Sequence, residues 1–185
     1  ADAVFVLLGI FSSNTVIPVG SETPITDYIA SGGNVYMEGG DMWYYDPQFQ
    51  GAYDFGPEFG IVAQADGTSD LAQVLGQGFL EGYEWSYTGE NNWIDQIDPA
   101  NDNALTVFRN DQVGYNCGVA HDPGNYKTVG SSFELAGLGG NSSLKACAWN
   151  CVTDSANNGW VTPEAPGNGR SLSSYLKPSK SNPLT

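Results

Sequence analysis

The chain has 185 residues, long enough for one domain with a full core and too short for two comfortable ones. It carries 21 Asp and Glu against six Lys and Arg, a formal net charge of −15, and three of those bases, Arg170, Lys177 and Lys180, stand near the end. An acidic body of this kind repels phosphate backbones and anionic lipid, which disfavours nucleic-acid and membrane-surface binding and makes cations the natural counter-partners.

Ala3-Val-Phe-Val-Leu-Leu-Gly9 is a continuous apolar run ending in glycine, the pattern of a central parallel strand. A central strand so close to residue 1 suggests a segment of a larger polypeptide, or one that borrows sheet neighbours. Ile10–Glu22 reads as a polar connection. Thr23 is placed to cap a helix with Pro24 at its first position, Ile25, Tyr28 and Ile29 fall on one face, and Gly32-Gly33 ends it. Asn34–Met37 then runs apolar as a strand covered on both faces, and Glu38-Gly39-Gly40-Asp41 closes it with two residues free to take positive φ.

The following stretch is rich in rings: Trp43, Tyr44, Tyr45, Phe49, Tyr53, Phe55 and Phe59. Its plainer reading is a packed loop over the end of the sheet. Its functional reading is a platform for sugar or peptide, with Trp43, Tyr44 and Tyr45 as ligand-binding residues. Gly60–Ala63 reads as a short strand and Asp70–Leu75 as a helical turn. Phe79–Tyr87, Leu105–Phe108, Val113–Ala120 and Lys127–Leu135 read as strands between Gly, Asn, Asp and Pro turns. Ser142–Val152 reads as a helix, and 153–185 as a Gly/Pro/Ser-rich tail or linker. The expectation is therefore one domain over 1–152, α/β at its start and mostly β afterwards.

No apolar run approaches the roughly 20 residues of a membrane span, and Ala3–Leu8 is too short and lacks the basic flank of a signal peptide. High Gly, Asn, Ser and aromatic content with scarce Lys points to an extracellular, secreted or cell-surface protein. Cys117, Cys147 and Cys151 allow one disulfide and one remaining thiol. Cys147 and Cys151 stand four apart on an expected helix, where their β-carbons diverge, so Cys117 with one of them is the expected bridge.

The segments VFVLLGI, ITDYIASGGNVYMEGGDMW, YTGENNWIDQID and KTVGSSFELAGL together resemble a domain of large secreted bacterial surface proteins, of the class I glutamine-amidotransferase-like, flavodoxin-like group. The resemblance covers roughly residues 3–138. It implies an α/β fold, a flavodoxin-like or amidotransferase-like sheet with parallel core strands, followed by a β-rich C-terminal half and an irregular tail. It also implies a test of catalysis. Active members place Cys on the sharp turn after a strand, as Gly-x-Cys-x-Gly. Here that turn is Met37–Asp41 and the nucleophile position falls on or near Gly39, so the resemblance is to a member lacking the catalytic Cys. His121, the single His, lies in AHDPG, where Asp122-Pro-Gly is an ordinary turn.

Three carboxylates remain near the turn, Glu38, Asp41 and Asp46, and beside glycine carbonyls they could hold Ca²⁺, which accepts six to eight oxygens in loose geometry. The plainer reading has Glu38 or Asp41 capping local N–H groups. Asp66-Gly-Thr-Ser-Asp70 and Asp95–Asp102 lack the EF-hand spacing and read as solvated turns. A glycosidase pair built on Glu81 or Glu84 lacks a second partner. The leading expectation is a non-catalytic structural or interaction module whose partners are other domains of its polypeptide or copies of itself. Alternatives are a module binding surface glycans or peptides, a subunit of an extracellular filament, and a metal-dependent hydrolase around Glu38, Asp41 and His121.

Overall fold

Strand β2 (Val35–Glu38) is the buried centre of the molecule, as its unbroken apolar run requires. All four residues are buried, and parallel neighbours flank it on both sides. The computed structural model describes residues 3–139; the expected helix over 142–152, Cys147, Cys151 and the 153–185 tail lie outside them. Within that span the main sheet also contains β1 (Val4–Leu7), β4 (Gln73–Gly76), β5 (Glu84–Ser86), β7 (Ala104–Asn110), β8 (Tyr115–His121) and β9 (Thr128–Ser131). Its order is β1-β2-β9-β8-β7-β4-β5. A separate antiparallel pair joins β3 (Ile61–Ala65) to β6 (Gln96–Pro99).

Only β1, β2 and β9 run parallel; β9, β8, β7, β4 and β5 continue antiparallel. The expected flavodoxin-like or amidotransferase-like α/β core is therefore corrected to a mixed, mostly β architecture. A doubly wound sheet needs a crossover helix for each parallel step and helices over both faces. Here α1 (Thr23–Ala30) and the single turn α2 (Gly56–Phe59) both pack on one face, with Ile29 and Phe59 among Val35, Met37, Val119, Ile61 and Ile97. The other face is filled by side chains from the sheet's own far strands and loops, Trp85, Phe108, Leu71, Leu80, Phe133 and Leu138, around Tyr36 and Val129. Register shifts flank Phe108 in the β7–β8 pairing, and such irregularities deepen local twist and coil a sheet. Gly118 makes the coil possible, since a Cβ there would sit 2.5 Å from the Phe108 ring.

Several local readings change with the topology. The first strand stands last in the order of described strands rather than in the middle, and Leu7 is 65% exposed. The 70–75 stretch contributes strand from Gln73, not helix, because β4 pairs between β7 and β5 and carries Val74 into the core. Phe79–Tyr87 divides into a 3₁₀ turn, Gly78–Leu80, and the short β5. Helix α1 starts after Glu22, not Thr23, with no side-chain cap; Gly32, at φ +90°, turns the chain out of it.

Candidate functional site

The turn after β2 is built by close packing rather than by unusual backbone angles. Neither Gly39 nor Gly40 has positive φ. A Cβ on Gly39 would lie 3.2 Å from Leu8 and from Met42, and one on Gly40 would lie 3.2 Å from Ile10. The Gly40 N–H donates to the Gly9 carbonyl at 3.1 Å, and its own carbonyl accepts the Asp95 N–H at 3.1 Å. Trp43 then folds over the sheet: its Nε1 donates to the Ser131 carbonyl at 3.0 Å, and its ring occupies the space that a side chain at Gly130 would need.

This arrangement brings Asp41 together with Asp66 and Asp95. Each offers a carboxylate oxygen, and these oxygens lie within 4.8 Å of one another. Backbone contacts between the loops hold them there. The Ile94 carbonyl would lie 1.8 Å from a Cβ on Gly67, so only glycine beside Asp66 allows the loop ending β3 to touch the one preceding β6. Asp95 Oδ2 accepts the N–H groups of Trp43 at 3.0 Å and Tyr44 at 2.7 Å. Its Oδ1 has no hydrogen-bond partner, and neither has Oδ1 of Asp41 or of Asp66. Asp95 is 0% and Asp41 3% exposed.

The electrostatics follow from that geometry. Burial pushes Asp95 up to about 9 against the pull of its two N–H donors, and Asp41 and Asp66 push in the same direction. Burial, with Asp46 and Asp66 adding repulsion, takes Asp41 to about 7. Burial also raises Asp66. No cation figures among the groups acting on these three carboxyls.

The residues singled out from sequence are distributed differently. Glu38 Oε2 accepts the Tyr36 hydroxyl at 2.7 Å and the Leu135 N–H at 2.8 Å, which ties β2 to the loop after β9. Asp46 borders the trio and accepts Asn14 Nδ2 at 3.3 Å through Oδ2. Of the rings, Trp43 is buried, Tyr44 and Tyr45 are half-buried, and Phe49 stands exposed beside Tyr45 with ring centroids 5.1 Å apart. Phe55 and Phe59 belong to the core, so the stretch packs the fold and forms no continuous ring platform. Cys117 is buried in β8 without a disulfide partner among the described residues, its ionisation suppressed by burial, and the partners of the expected disulfide lie outside those residues.

His121 is level with Thr128 and Val35 in the sheet, whereas Glu38 is level with Ser131, three residues further along β2. His121 Nδ1 lies 3.1 Å from the Glu58 carbonyl, and its ring packs edge-on to Tyr126. Glu38, Asp41 and His121 thus occupy three separate environments and make no common centre. Asp66 and Asp95 were missed because each lies in a loop that looks like a solvated turn by itself. The one local signal was glycine after Asp66.

No family model and no curated protein matches the sequence. Solved structures match the fold; among them is the mmIFT52 N-terminal domain, at 13% identity and a TM-score of 0.51, covering 81% of this chain and 77% of that one. At that identity the likeness concerns the fold. Together with the mixed, curled sheet it overturns the resemblance to the amidotransferase-like, flavodoxin-like group, whose parallel, helix-flanked core the described residues do not form.

Proposed function

We propose that this chain is a non-catalytic structural or interaction module of an extracellular or cell-surface protein, working beside other domains of its polypeptide or copies of itself. The observation that carries the reading is that the side chains best suited to catalysis are spent on the fold. Glu38 closes the end of β2, His121 meets the α2 turn through the Glu58 carbonyl, and Cys117 is sealed in the core. The turn after β2 carries glycine at 39, wedged between Leu8 and Met42 with no room for a side chain. The solved neighbour is itself an N-terminal domain, which supports reading the architecture as a module. The acidic, lysine-poor composition supports the extracellular setting.

A carboxylate kept for chemistry is typically neutral or costly to stability, whereas one kept for the fold stabilises it. Replacing Glu38 by Ala removes the acceptor of the buried Tyr36 hydroxyl and of the part-buried Leu135 N–H. Thermal melts are expected to fall by about 6 °C or more for Glu38→Ala. An unchanged or raised melting temperature would reopen a catalytic role for Glu38. Protease shaving of intact source cells tests the setting: recovery of the chain only after lysis overturns the extracellular assignment.

A further inference from the structure

We propose that Asp41, Asp66 and Asp95 form a calcium-binding site that clamps the turn after β2 to the loops following β3 and preceding β6. The inference goes beyond the module reading and does not depend on it. Two oxygens on opposite sides of a Ca²⁺ ion, each about 2.3–2.6 Å from it, are about 4.6–5.2 Å apart. A trio of carboxylate oxygens within 4.8 Å of one another therefore fits around one such ion.

The second observation is the orphaned oxygens. Asp95 and Asp41 are 0% and 3% exposed, and Oδ1 of each, like that of Asp66, is buried with no donor. Gathering carboxylates away from water without a counter-charge is costly. At Asp70 the fold supplies donors, Asn110 Nδ2 at 3.0 Å and the Tyr115 hydroxyl at 2.7 Å; Glu58 Oε2 also lacks one, but that acid stands outside the trio and its Oε1 accepts the Tyr53 hydroxyl at 2.7 Å. At the trio the three acids lie together and one oxygen of each has no donor. Asp95 Oδ2 is anchored by two backbone N–H groups, which is how outer contacts orient a metal-ligating carboxylate.

The donor set selects the ion. Three carboxylates with no His or Cys among them favour a hard cation over zinc or copper. Magnesium demands near-octahedral geometry at about 2.0–2.1 Å and usually keeps several waters with only one or two carboxylates. Calcium tolerates an irregular set of three carboxylates completed by carbonyl or water oxygens. Asp46, on the margin, adds negative field without being one of the three.

The test uses the full chain, stripped with EDTA and dialysed. Calorimetric titration with CaCl₂ is expected to give one site. A melt at calcium about 100-fold above the dissociation constant is expected to rise by about 5–10 °C, with MgCl₂ at the same concentration giving a clearly smaller shift. Asp95→Asn keeps an oxygen for Trp43 and Tyr44 and is expected to lose the calcium response; Asp66→Asn, at the less buried ligand, provides the same test should the first variant fail to fold. Terbium luminescence sensitised by the adjacent Trp43 is expected in the wild type and not in either variant. No heat and no shift in the wild type would overturn the site, as would a calcium response retained in both variants. An equal response to magnesium would overturn the choice of ion.

Discussion

Glu38 and Asp41 stand three residues apart at the end of the same buried strand, and the fold treats their carboxylates in opposite ways. Glu38 accepts a tyrosine hydroxyl and a backbone N–H; Asp41 faces Asp66 and Asp95, and its Oδ1 has no donor. Both are almost fully buried, at 5% and 3% exposure, and burial raises the pKa of both, so neither property separates them. What separates them is where each lone pair goes. A buried acid whose partners come from the fold is part of the fold, and one whose partners are other acids awaits a charge from outside.

The comparison breaks most visibly by deleting the satisfied side. Glu38→Ala takes the acceptor from the buried Tyr36 hydroxyl and the part-buried Leu135 N–H, and two such losses are expected to cost about 3 kcal/mol in chemical denaturation. This effect should be the same in EDTA and in calcium, because Glu38 belongs to neither loop of the trio. A difference between the two conditions would join Glu38 to the cation site. Next in size is Gly67→Ala. Its Cβ would collide with the Ile94 carbonyl, a backbone atom that moves only with its loop. A cost of about 2 kcal/mol is expected, with a weakened calcium response, because separating the two loops spreads Asp66 from Asp95.

On the unsatisfied side the sign reverses. In EDTA, Asp95→Asn removes a buried carboxyl whose ionisation is opposed by burial and by Asp41 and Asp66, and supplies an amide N–H₂ that can donate to Asp41 or Asp66. The metal-free protein is expected to gain about 1 kcal/mol while the calcium-dependent gain disappears. A loss of stability in EDTA would mean that the Asp95 carboxyl serves the fold as Glu38 does.

Much of the neighbourhood was legible from sequence because its signals are local. Pro24 and Gly32 bracket α1, the unbroken Val35–Met37 run marks a strand covered on both faces, and the acidic turn places Asp41 at its end. The partners of Asp41 were not legible. Asp95 meets the Trp43 N–H from 52 residues away, and neither its loop nor that of Asp66 carries a ligand-loop spacing, since each supplies one oxygen. Misreading the architecture had the same origin. Two apolar runs, Ala3–Gly9 and Asn34–Met37, joined by a helix suggested a helix-flanked sheet, but the covering of the second face depends on Phe108, Trp85 and Leu138, whose approach is set by the curl of β7 and β8. The ring-rich stretch kept a platform reading beside the packed-loop one because nothing local shows that Gly130, in β9, leaves the space Trp43 fills.

The smallest expected effect sharpens the comparison from the Glu38 side, through pH. Burial raises the Glu38 carboxyl above its ordinary value of 4.5, against the pull of the Leu135 and Tyr36 hydrogen bonds. An acid raised in the folded state binds its proton more tightly there than in the unfolded chain. Its contribution to stability therefore increases as pH falls from neutral through the folded value towards 4.5, and is lost again as pH rises. Glu38→Gln cannot titrate, so between pH 7 and 5 the wild type is expected to gain on the variant by under about 1 kcal/mol. The measurement is a pair of denaturation series in EDTA. A difference that instead shrinks on acidification would mean that the two hydrogen bonds outweigh burial, and that the Glu38 carboxyl is held ionised by partners strong enough to do for it what only a cation can do for Asp41.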